Sequence, residues 1–349
     1  MLSMIFSRLV LASYLTATLA LMSLPPANWG QVRPQLDPDI PSYLSSDQVL
    51  GTLTISPSDT MKPLVRAWID ELVRRHPKLN IAMAREGSDT GLAPLLAHRS
   101  DIAAMPRRMT ADEIAEFVRE YGYEPAEVPV AVDTLAVYVH KDNPLTGLSL
   151  DELDAMFCRE RRRGVKYVVD SWGLVGVMDE WFEAPVQLYG RNGKSGPSYF
   201  FREEVCKGGT FHHQLVDAQG LASVILDVGA DPNGIGFSAI GYRTDMVKPV
   251  PIALVKDGRY VEPSVQAALD GSYPLRRNLY LYIAKPPKSE ATPATVALIR
   301  YALSRQGQHQ AVEFGYLPMT SAEIARLTSK WPTTVKSARL ETPNRPVLE

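Results

Sequence analysis

The stretch YGRNGKSGPSYFFREEV, Tyr189 to Val205, sets Arg191, Gly193, Ser195, Gly196 and Ser198 ahead of a helical apolar pattern. Arginine presents a planar fork of donors that matches a tetrahedral oxyanion. Glycines allow close backbone approach, and hydroxyls supply further donors. A helix N-terminus adds unpaired N–H groups and the positive end of its dipole. Such a loop is a local seat for an anion. Pro197 suits a first helical turn, where its missing N–H costs little, and Ser198 is expected to cap the helix.

Two earlier loops have similar chemistry. Ser58-Asp59-Thr60 follows a strand-like run through Leu53 and Ile55 and precedes Leu64, Val65, Trp68, Ile69 and Leu72 at helical spacing. Ser88-Asp89-Thr90, between Gly87 and Gly91, separates a strand at Leu79–Ala84 from a helix bearing Leu92, Leu95 and Leu96. Taken singly, each loop reads as an ordinary N-cap. Three of them at the carboxyl ends of strands in an α/β sheet share one crevice, which reads better as a site.

The elements that position these loops follow from periodicity. DIAAM is a short buried strand, and VPVAVDTLAVYVH is a strand long enough to run between two domains. NGIGFSAIGY and LRRNLYLYIAK are further strands, and ATVALIRYALSRQGQHQAV is one amphipathic helix. Alternating helices and strands indicate α/β layers with largely parallel sheets. The chain has 349 residues, 45% hydrophobic and 22% charged, enough for two domains. Its formal charge of −2 gives no global attraction for nucleic acid or an anionic membrane. The basic run CRERRRG lacks the interleaved aromatics of a single-strand binder and reads as solvated surface.

The N-terminus differs from the rest. Arg8 precedes an uncharged run from Leu9 to Leu24, which ends at Pro25-Pro26. That run is shorter than the roughly 20 residues of a membrane span and suits a secretory signal peptide, with cleavage expected near Ala27–Gln31. A membrane anchor is the alternative. Residues to about Ser46 read as a Pro-rich polar tether. Export would let the two cysteines, Cys158 and Cys206, form a disulfide, with two buried thiols as the alternative. Neither lies in a CxxC or at metal-ligand spacing from a histidine, so no metal and no cofactor are expected.

Six segments, SPSDTMKPLVRAW, EGSDTGLAPLLAHRSDIAAMPRRM, VAVDTLAVYVHKDNPLTGLSLDEL, YGRNGKSGPSYFFREEV, NGIGFSAIGY and YPLRRNLYLYIAK, run in the order seen in periplasmic phosphate-binding proteins of ABC phosphate transporters. The chain resembles that family over nearly all of Val49–Leu327. The resemblance implies α/β architecture of the two-domain type II periplasmic binding protein fold, with a ligand cleft between domains joined by two crossover segments. It implies a signal peptide at 1–30, a linker at 31–48, a discontinuous first domain at 49–134 plus 245–330, an inserted second domain at 135–244, and a tail at 331–349. It further implies binding of inorganic phosphate by Ser58, Asp59, Thr60, Ser88, Asp89, Thr90, Arg191, Ser195 and Gly196; Arg107, at a departure from the family, is expected to add a second cation. The expected protein is a periplasmic monomer that serves the membrane permease of an ABC importer.

The sequence departs from the family twice. Pro197 stands where the anion loop has Thr, which removes a hydroxyl and a backbone donor. Ala104-Met105-Pro106-Arg107-Arg108 carries no carboxylate where some members accept a proton from bound phosphate. Another oxyanion, a phosphorylated solute, or a noncatalytic scaffold or sensor therefore remain as alternatives. A secreted phosphatase needs a metal cluster or a nucleophile–base pair, and Ser195 has no sequence-evident base. His76, His98, His140, His212 and His213 all read as solvated or turn residues, so no enzyme is expected.

Overall fold

A computed structural model describes residues 34–44, 48–84, 91–191, 195–242 and 244–332. The expected leader and Ser88, Asp89 and Thr90 lie outside the described residues. The first half of the chain supplies β1 (Gly51–Pro57), α1 (Lys62–Arg75), β2 (Leu79–Met83), α2 (Leu92–Leu96), β3 (Ile102–Met105) and α3 (Ala111–Tyr121). The long strand β4 (Ala126–His140) follows, then β5 (Leu148–Ser149), α4 (Leu150–Phe157), β6 (Gln187–Gly190) and α5 (Gly196–Glu204). Next come β7 (Val216–Asp217), α6 (Leu221–Ala230), β8 (Gly234–Ala239), β9 (Val247–Pro249), β10 (Ile252–Ala253) and α7 (Val265–Leu269). The chain closes with β11 (Arg276–Ile283), α8 (Pro293–Ala302), α9 (Arg305–Glu313) and α10 (Ser321–Thr328).

The main sheet has the order β2-β1-β3-β11-β4-β8-β6-β7, with β9 also pairing with β4. Its wings are parallel, as alternating strands and helices predict: β1 with β2 and β3, and β6 with β7 and β8. Its middle is not. β11 runs antiparallel to β3 and β4, and β4 antiparallel to β8 and β9, so the sheet is mixed rather than largely parallel. The reason is β4, whose N-terminal half pairs with β11 while its C-terminal half pairs with β8 and β9.

Beyond Thr134, successive side chains of β4 enter different cores, as the two-residue period of a strand requires. Ala136 and Tyr138 join the core of Leu53, Trp68, Leu281 and Ile299, to which α6 adds Val224 and Val228. Leu135, Val137 and Val139 join Phe157, Phe201 and Phe237 instead. In that second core the Phe201 and Phe237 rings stack at 4.1 Å, and Phe157 meets Phe201 edge-on at 5.0 Å. Cys158, at the end of α4, and Cys206, just beyond α5, form a disulfide with Cα atoms 5.5 Å apart. No helix among the described residues is long and apolar enough to cross a membrane.

Three local readings differ from the sequence expectation. The tether is packed: Ile40 and Tyr43 enter the core, and the Arg305 guanidinium donates to the carbonyls of Asp37, Pro38 and Ile40. Polar composition hid those two apolar anchors. The C-terminal helix is two helices, because Ser304 turns extended and caps α9 by accepting from the Gly307 N–H. Gly307 makes the break possible, since a Cβ there would lie 2.1 Å from the Tyr301 carbonyl oxygen. His76, read as solvated, is 1% exposed. Its Nδ1 accepts from the Val49 N–H and its Nε2 lies 2.9 Å from the Tyr43 hydroxyl, while burial pushes its pKa down. His140 is buried as well.

Candidate anion-binding site

Where β1 ends, the chain turns through Ser58-Asp59-Thr60 into α1. The Ser58 N–H donates to the Ala104 carbonyl at the end of β3, which fixes the loop to the neighbouring strand. The Ser58 carbonyl accepts from the Met61 and Lys62 N–H groups, and its hydroxyl accepts from Met61 at 3.3 Å. Helix α1 starts without a side-chain cap, so these residues are a turn before the helix rather than the caps they resembled. Gly91 lies against the same turn with φ of +73°, and a Cβ there would sit 2.4 Å from the Ser56 carbonyl oxygen. Only glycine fits that position. Asp59 is exposed, and Thr60 is half-buried.

The second wall is the start of α5. Ser195, not Ser198, is its N-cap, and its hydroxyl accepts from the Ser198 N–H at 3.4 Å. With Gly196 and Pro197 as the first helical residues, Ser198 falls inside the helix, where its hydroxyl donates to the Arg191 carbonyl. The Arg191 guanidinium donates to the Gln219 carbonyl, and its Nε is buried without a partner among the described residues. A buried donor without a partner is costly and is available to a ligand.

The two walls meet. A Cβ built on Gly196 would be 2.8 Å from Thr60 Cγ2 and 3.0 Å from Thr60 Oγ1, so the starts of α1 and α5 touch through these two residues. The Tyr316 hydroxyl donates to the Thr60 carbonyl at 3.0 Å from behind.

Two buried charges at this seam escaped the sequence reading. Asp133 of β4 and Arg277 of β11 stand directly opposite in the ladder, with Arg277 Nε and Nη2 at 2.9 and 2.8 Å from Asp133 Oδ2. The guanidinium lies 4.2 Å over the Phe200 ring and donates to the Gly196 carbonyl at 3.4 Å. Burial and the Asp133 carboxylate push the Tyr316 phenol well up. Arg107, the expected second cation, makes a two-pronged pair with Glu113 at 2.7 and 2.8 Å. Burial would raise the Glu113 carboxyl, but Arg107 and the Thr110 N–H hold it below its ordinary value.

Among the described residues the two walls thus offer hydroxyls, helix starts and the guanidinium of Arg191, with no base beside a nucleophile. No histidine hydrogen-bonds to Ser58, Thr60, Ser195 or Ser198 among the described residues. Asp154 lies beside Cys158 and Cys206, but both sulfurs are spent in the disulfide.

Residues 45–306 match the model of a PBP superfamily domain. Over 295 residues the chain is 40% identical to the phosphate-binding protein PstS of Pseudomonas aeruginosa, covering 84% of this chain and 91% of that protein. This chain belongs to the PBP superfamily, in the family of PstS phosphate-binding proteins. Among solved structures it resembles a possible phosphate-binding protein from Planctomyces limnophilus, with a TM-score of 0.69, 22% identity, and coverage of 81% of this chain and 98% of that one. It also resembles an ABC-type phosphate transport receptor from Vibrio cholerae, with a TM-score of 0.60, 20% identity, and coverage of 76% and 99%. These two likenesses support the type II periplasmic binding protein fold.

Proposed function

We propose that this PstS-family protein captures inorganic phosphate at the seam between two domains and delivers it to the membrane permease of an ABC importer. Its chemistry is binding and release, with no bond broken. The observation that carries this reading is the meeting of Thr60 and Gly196, which brings two helix starts together; Arg191, whose carbonyl accepts from Ser198 of the second, carries a guanidinium nitrogen without a partner among the described residues. Ser58, Asp59, Thr60, Arg191, Ser195 and Gly196 are the proposed binding residues, together with Ser88, Asp89 and Thr90, which lie outside the described residues. Arg107 contributes at most a charge shared with Glu113.

The proposed layout keeps a first domain of 49–134 plus 245–330 and a second of 135–244. A leader at 1–30 would send the chain to the periplasm, where it acts as a monomer. That the relatives are named for phosphate and phosphate transport supports this reading.

Calorimetric titration with phosphate and with sulfate tests it. Charge-assisted contacts contribute about 1.5–3 kcal/mol, so Arg191→Ala should weaken phosphate binding roughly ten- to a hundredfold. Arg191→Lys should recover part of that, keeping the charge without the fork. Pro197→Thr restores two donors and should tighten binding. Phosphate bound equally well by wild type and Arg191→Ala would overturn the site. No oxyanion bound by wild type would favour a noncatalytic scaffold, to which the Pro197 departure points.

A further inference from the structure

We infer that Asp133 and Arg277 act as one positioning unit that sets the first turn of α5 against the Thr60 loop, and thereby sets the affinity of the phosphate site. The inference rests on the reading above for its ligand, and on the structure for its geometry. The ladder puts the two residues opposite each other on β4 and β11, outside the segments that carry the proposed donors. From there the guanidinium spans to α5 by two contacts, the Gly196 carbonyl and the Phe200 ring. Gly196 is the residue that touches Thr60.

The fork explains why arginine stands here. Nε and Nη2 are both aimed at Asp133 Oδ2, so the carboxylate fixes the plane of the guanidinium. With that plane fixed, one face covers Phe200 and one edge points at Gly196. An ammonium at this position would keep the charge and lose both the plane and the stack. The pair is also self-neutralising, so it orients the site without adding net charge to it. Neither residue need touch the ligand.

The test uses the full mature chain, with phosphate as the probe, in wild type, Asp133→Asn, Arg277→Met, Arg277→Lys and the double variant Asp133→Asn/Arg277→Met. Titration gives the affinity, and hydrogen exchange without ligand gives the mobility of Ser198–Phe201 against that of α8. Arg277→Met should weaken phosphate about tenfold and speed exchange in Ser198–Phe201 while leaving α8 unchanged. Arg277→Lys, the variant to rely on if Arg277→Met does not fold, should do the same to a smaller extent. The double variant should bind no worse than Arg277→Met, because members of one unit are not additive. Unchanged affinity in the Arg277 variants, or exchange raised equally in α8, would overturn the inference. Faster local exchange in variants of a wild type that binds no phosphate would uphold the positioning and sink the phosphate reading instead.

Discussion

Arg107 and Arg277 both make two-pronged pairs with a carboxylate, yet they sit in opposite environments. Arg107 and Glu113 are 37% and 20% exposed at the start of α3, where Glu113 also closes the capping box with Thr110. Arg277 and Asp133 are 10% and 8% exposed between two strands of the main sheet. Water screens the first pair and can replace either partner. Nothing can replace a partner in the second. The same chemistry therefore trims a surface helix in one place and ties the main sheet to the start of α5 in the other.

The comparison is broken most sharply by removing one partner from each pair. Asp133→Ala strands a buried guanidinium and should lower stability by about 3–5 kcal/mol, read from the denaturant midpoint. Gly196→Ala should come next. Its Cβ forces Thr60 aside, which costs about 1–3 kcal/mol by overpacking and weakens phosphate binding in the same titration. Arg107→Ala should cost less than about 1 kcal/mol and leave phosphate affinity unchanged. The smallest effect is on pH dependence. Glu113 is held below its ordinary value, so its contribution is complete above the unfolded carboxyl's pKa and is lost as pH falls through the lowered folded value. Arg107→Met should therefore flatten the acid limb of the stability profile slightly. A wild-type profile that matches this variant would show that the Glu113 pair contributes nothing.

The loops at the candidate site were legible as turns and helix starts because their chemistry is local. Ser58, Thr60, Ser195 and Gly196 announce turns and helix starts in a few adjacent letters, and the structure sets two of the three loops against one another. The cap fell three residues from its expected place, since Ser195 and Ser198 are equally good cap residues and only the fold chooses between them. Asp133 and Arg277 were hidden for a different reason. They lie 144 residues apart in sequence, and pairing across a ladder depends on register, which no short stretch states. A signal did exist. VAVDTLAVYVH carries a single acid inside an apolar strand, and a buried acid requires a counter-charge, which the arginines opening LRRNLYLYIAK could supply. The parallel reading held in the wings of the sheet and failed in its middle, because alternation of elements gives strands but not the direction of β4 and β11.

The fifteen residues of β4 carry one last consequence. Because that strand ladders with β11 at one end and with β8 and β9 at the other, neither half of the molecule owns it. Cut on either side of β4, one fragment would keep a sheet with a bare edge and a core open to water. Heating should accordingly melt the protein in a single calorimetric transition, and neither half should survive expression alone as a folded piece.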